Sequence, residues 1–123
     1  MLEEIGHLTE QLLKYNQLFM KYYQEGRETG VNYDFHDVIK PFSDQVRSIN
    51  GEWKKGMKNW LALSNHKHLH LKRIDTTSEH IEQLSIQAFF PESSRTRFLN
   101  AHRTVEFFLQ EVLKEVNKEK RDA

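Results

Sequence analysis

Apolar side chains return every third or fourth residue along most of the chain, the spacing that gathers them on one side of an α-helix. Leu2, Ile5, Leu8, Leu12, Tyr15, Phe19 and Tyr22 trace the first stripe. "EGRETG" closes it, with Gly26 expected as the C-terminal cap and Gly30 as the residue that loosens the turn. A second stripe runs through Phe35, Val38, Phe42, Val46, Ile49, Trp53, Met57 and Trp60. Asp34 marks its start, placed to accept the free N–H groups of a first turn, and Tyr33 and Val38 stand at the spacing of a hydrophobic staple. Pro41 and the Asn50-Gly51 pair interrupt this run without shifting its phase. The pattern therefore predicts one long helix, kinked near Pro41 where a backbone hydrogen bond is forfeited.

"NHKHLHLKRID" leads to a third, shorter helix. Thr76 and Glu79 have the spacing of a capping box at its start, and Ile81, Leu84 and Ala88 give it an inner face. After the break at "FPESS", Phe98, Ala101, Val105, Phe108, Leu109, Val112 and Val116 form a fourth stripe, expected to fray into "NKEKRDA". Four amphipathic helices with short links predict an all-α, antiparallel up-and-down four-helix bundle, with residues 1–123 as one domain.

The stretch "YYQEGRETGVNYDFHDVIKPF", followed by Trp53 and Gly56 in "GEWKKGMKNW", resembles the YppE-like family of small proteins from Gram-positive bacteria. The match is most specific at Tyr23-Gln24-Glu25-Gly26, at Tyr33-Asp34-Phe35 and at Ile39-Lys40-Pro41; the histidine-rich turn and the last two helices match only loosely. The resemblance implies a four-helix bundle and implies no reaction. The residues that carry it also have structural work to do as staple, cap, stripe and bend.

Composition narrows the function classes. The 18 basic and 18 acidic side chains cancel, which removes any global attraction to nucleic acid or membrane. With no cysteine there is no disulfide framework, thiol nucleophile or thiolate metal site. The opening "MLEEIGHLTEQ" is acidic and lacks an apolar run, so it does not read as a signal peptide, and no stretch approaches the roughly 20 apolar residues of a membrane span. The expectation is a soluble, cytoplasmic protein. Serine-elbow, phosphate-cradling and His-Glu-x-x-His motifs are absent from the sequence, which leaves no positive ground for proposing an enzyme or a cofactor.

Three features carry candidate chemistry. His66, His68 and His70 alternate, and an extended backbone would turn all three imidazoles to one face, as some zinc sites require. No Asp or Glu stands between Lys54 and Ile74, so an orienting carboxylate for these rings has to come from another helix. A buried dimetal centre is disfavoured because the one Glu-x-x-His pair, Glu4 with His7, puts His7 about 125° from the apolar stripe. Secondly, Lys54, Lys55, Lys58, Lys67, Lys72 and Arg73 give the same acid-free segment a basic character suited to an anion, although it lacks the exposed aromatics of a nucleic-acid surface. Thirdly, Leu13, Met20, Ile86, Phe90 and Phe107 lie off the expected core stripes, forming a candidate face for a foreign protein or for self-association as a homodimer. The favoured expectation is an interaction or accessory protein. The alternative is a bundle that binds a divalent metal through histidines.

Overall fold

The computed structural model describes residues 1–64, 66 and 68–122. Among these the chain forms α1 (Leu2–Thr29), a π-helical turn (Phe35–Ile39), α2 (Lys40–Leu63), α3 (Leu71–Gln87) and α4 (Arg95–Asp122). Each helix packs against its neighbour in sequence, and α4 returns against α1. The directions follow from the pairs in contact. Tyr22 meets Phe42 while Thr9 meets Trp53, so α2 runs antiparallel to α1. Ser43 meets Ser85 and Asn50 meets Ser78, reversing α3 on α2. Tyr23 stacks on Phe98 and Asn16 meets His102, which brings α4 back antiparallel to α1. The result is the up-and-down four-helix bundle that the stripes predict. None of its described helices is long and apolar enough to cross a membrane.

Large side chains fill the interior, with Phe19, Tyr23, Trp53, Trp60, Phe98 and Phe108 at most 2% exposed. Removal of such groups from water is the main favourable contribution to folding, about 1.5–3 kcal/mol for a fully buried Phe or Leu. Polar groups inside the core tie helices together. The Trp53 indole N–H donates to Thr9 Oγ1 at 3.1 Å, and that hydroxyl donates to the Ile5 carbonyl at 2.7 Å. Asn50 Nδ2 donates to the Ser78 carbonyl at 3.0 Å, which lets α2 run unbroken across Asn50-Gly51.

Local structure departs from the sequence expectation at four places, each for a physical reason. Asp34 does cap, its Oδ1 accepting from the Asp37 N–H at 2.7 Å, but the turn it opens is π rather than α. Pro41 sits in the first turn of α2, and the widened turn before it absorbs the missing N–H and the bulk of the ring. The extra residue rotates the phase, so Ile39 is buried while Phe35 is 51% exposed and does not begin the core stripe. Tyr33, expected as a staple on Val38, instead packs edge-on against Tyr22 and Phe89 and donates its hydroxyl to Glu25.

The helix ends differ as well. Gly30, at φ 68° and ψ 16°, is the left-handed cap of α1, its N–H bonded to the Gly26 carbonyl. Gly26 lies within the helix, where Pro91 packs on it so closely that a Cβ there would stand 3.1 Å from the proline ring. The third helix begins at Leu71, five residues ahead of Thr76, and includes the fully buried Ile74. The fourth continues to Asp122 rather than fraying at Asn117.

The histidine-rich connection and a candidate interaction groove

The connection between α2 and α3 folds down onto the C-terminal half of α4. Leu69 is its anchor, fully buried in the core. His66 lies tilted against Trp60, ring centroids 4.5 Å apart, and its side chain is 15% exposed. Its Nδ1 is 3.5 Å from Glu115 Oε2 and its Nε2 is 3.4 Å from Glu119 Oε2, the oxygen to which the Trp60 indole donates at 2.9 Å. His68 Nε2 stands 3.3 Å from the other Glu115 oxygen. The carboxylates that the acid-free segment itself lacks are thus supplied by α4.

These groups do not form the metal triad suggested by the alternation. His70 immediately precedes α3 and lines a shallow cleft with Lys72, Thr76 and Thr104, a lining that includes neither His66 nor His68. His66 and His68 meet different oxygens of Glu115 rather than a common point. Among the described residues no three His, Asp or Glu side chains converge as a set of metal donors. The geometry is that of a clasp between the connection and α4.

The basic segment is likewise answered by acids from neighbouring helices. Lys54 and Lys58 of α2 approach Asp75 Oδ1 of α3 at 3.5 and 3.0 Å, and the hydrogen bond from Lys58 holds the Asp75 carboxyl below its usual range. Arg73 makes two contacts with Glu111 of α4, at 2.7 and 3.2 Å, and its guanidinium lies 4.5 Å from the centre of the Phe108 ring. The hydrogen bond from Arg73 lowers the Glu111 carboxyl below its ordinary range. Lys55 and Lys72 remain exposed on different sides of the bundle end, Lys55 beside a cleft with Met1, Glu4 and Glu52. Lys67 lies outside the described residues. Of the six positions, Lys54, Lys58 and Arg73 are thus paired with acids.

The five surplus apolar residues separate too. Leu13 is only 8% exposed and belongs to the core, because α4 covers that side of α1. Met20 is half-buried between α1 and α4, while Ile86 and Phe90 are exposed on and just after α3. Phe107 projects from α4, 66% exposed. Met20 and Phe107 come together with Leu99, which the sequence reading had not singled out, along a groove between α1 and α4. His102, Arg103, Glu106 and Gln110 complete this depression of about 440 Å³. Beneath it Asn16 and His102 join the two helices, and burial holds the His102 imidazole below its ordinary pKa.

Residues 9–116 match the profile of a family described as a bacterial domain of unknown function, DUF1798. The chain belongs to this family. The resemblance carried by the Tyr23–Gly26 and Tyr33–Phe35 motifs is borne out. A relative, the uncharacterized protein YppE of Bacillus subtilis, is 24% identical over 112 residues, covering 91% of each chain. The crystal structure of that protein superposes with a TM-score of 0.94 over 98% of both chains, at 22% identity. A protein of unknown function from Listeria innocua superposes with a TM-score of 0.93 at 21% identity, covering 98% of this chain and 96% of that one. These structural likenesses show a shared fold.

Proposed function

We propose that the protein is a small cytoplasmic interaction module, without a reaction of its own, that receives a partner along the groove between α1 and α4. The observation that carries this reading is Phe107, a large aromatic side chain 66% exposed on an otherwise well-packed bundle, beside the partly buried Met20 and Leu99. Exposed aromatic residues bordering an apolar depression are the usual anchors of protein recognition, because they remove much apolar area from water at small conformational cost. The polar groups near the groove support the same reading, since Asn16 and His102 are committed to holding the two helices together.

Replacement of Phe107 by a photo-crosslinking phenylalanine in the native cell tests the proposal, with Ser48 on the outer side of α2 as the control position. A discrete product from position 107 that is absent from position 48 and lost on Met20→Glu supports a groove partner. No product, or the same product from both positions, overturns it.

A further inference from the structure

Resting on the groove as an interaction site, we infer that its occupant is an acidic amphipathic helix of another protein. Shape comes first. A second depression of about 280 Å³ lies beside the first, and Met20 and Leu99 line both, so the two together make one candidate docking surface along the α1–α4 seam. Its lining on α4 runs from Arg95 to Gln110. At about 1.5 Å per residue that is a surface on the order of 22 Å long, room for roughly four turns of a docked helix. Met20, Leu99 and Phe107 are its apolar lining, the surface that a stripe at three- and four-residue spacing would cover.

Charge selects the flanks of that helix. Arg27, Arg95 and Arg103 stand along this surface, and none has a carboxylate within 4.0 Å among the described residues. Arg27 is directed to neutral groups, donating to the Pro91 carbonyl and the Tyr23 hydroxyl. On the α2–α3 side and across α3–α4, by contrast, Arg47, Lys54, Lys58 and Arg73 each meet an acid from the adjacent helix. Two acids also border it. Glu106 accepts from the Asn16 amide on one oxygen and from the Gln110 amide on the other, and Glu28 is at the α1 end. Three guanidiniums against two carboxylates leave this lining with one net positive charge, which favours carboxylates flanking the occupant's apolar stripe.

Two labelled helical peptides test this by fluorescence anisotropy with the full-length protein. Both carry leucines at amphipathic spacing; one has glutamate and the other lysine at the remaining positions. The acidic peptide is expected to bind at least about tenfold more tightly, and the double variant Arg95→Glu/Arg103→Glu to reverse that preference. Phe107→Ser is expected to weaken the acidic peptide by about fivefold or more, with an unchanged circular-dichroism melt confirming the fold. Equal binding of the two peptides, preference for the lysine peptide, or indifference to the arginine reversals overturns the inference. Sedimentation at rising concentration provides a further decision: a wild-type dimer abolished by Phe107→Ser would make a second copy the occupant and overturn it too. If position 107 still crosslinks a foreign protein while the acidic peptide fails to bind, the interaction site survives and only this account of its occupant falls.

Discussion

Asn16 and His102 clasp α1 to α4 reciprocally, each side chain hydrogen-bonding the other residue's main-chain carbonyl. Asn16 Nδ2 donates to the His102 carbonyl at 3.2 Å, and His102 Nε2 lies 3.0 Å from the Asn16 carbonyl. A carbonyl only accepts, which assigns the proton to Nε2. Burial lowers the imidazole pKa, so as pH falls the unfolded chain takes up a proton before the folded one does. The contribution is complete above the ordinary imidazole range, about 6.5, and is lost as pH falls from there through the folded-state value. Urea denaturation across this range should show an acid-side decline that His102→Gln reduces. At neutral pH the same substitution, which keeps an amide donor, should cost no more than about 1 kcal/mol.

Thr9 matters to stability through Trp53. Both side chains are completely buried, and the threonine hydroxyl is the acceptor of the indole N–H. Thr9→Val preserves shape while stranding that donor, so equilibrium unfolding should show a loss of about 1–3 kcal/mol. In a double-mutant cycle with Trp53→Phe, most of the Thr9 effect should disappear, apart from the packing cost that Trp53→Phe brings alone. An undiminished Thr9→Val effect in the Trp53→Phe background would show that the hydrogen bond is not its cause.

Two glycines within helices should respond oppositely to alanine. At Gly51 nothing lies within 4 Å of an added Cβ, so Gly51→Ala should gain about 0.5–1 kcal/mol through helix propensity. At Gly26 the same methyl meets the Pro91 ring at 3.1 Å, where α1 touches the α3–α4 connection. Gly26→Ala should lose about 1 kcal/mol or more despite the same propensity gain. Thermal melts of the two variants give the comparison directly.

Arg73 and Glu111 form a two-contact ion pair between α3 and α4, and Arg73 also donates to the His68 carbonyl. The depressed Glu111 carboxyl contributes stability that is present above its unfolded-state pKa and is lost as pH falls through the folded value. A double-mutant cycle with Arg73→Met and Glu111→Gln should give a coupling of about 1 kcal/mol at neutral pH, since both groups retain some solvent contact, and much less in strong acid. A coupling that stays constant through the carboxylate range would show that charge is not its source.

The bundle was legible from spacing because Ile5, Leu12, Phe19, Val46, Trp53 and Val112 fall on regular helical faces and are buried accordingly. Phe35 was misplaced because a π turn adds one residue to the phase, and a sequence records that shift only indirectly, through Pro41. Thr76 and Glu79 satisfy a capping pattern without capping anything, since burying Leu69 and Ile74 carries the chain into α3 earlier. The surface candidates were harder for a different reason. Whether Lys58, Arg73 or His66 is a free charge depends on Asp75, Glu111 and Glu115, which stand on other helices. The groove shares that dependence: Leu99 falls outside the fourth stripe and gains a role only when Met20 and Phe107 are set beside it.

The polar ties also restrict which bundle the chain can make. Four oily stripes would cover one another nearly as well if one helix slid a turn along its neighbour, because dispersion and desolvation carry no register of their own. Specific polar partners do discriminate. Trp53 must find Thr9, Asn50 must find Ser78, Arg73 must find Glu111 and Asn16 must find His102, each at a fixed height on an adjacent rod. A one-turn slip of one helix along its neighbour would leave several of these donors without acceptors. The penalty falls on the slipped registers and leaves one.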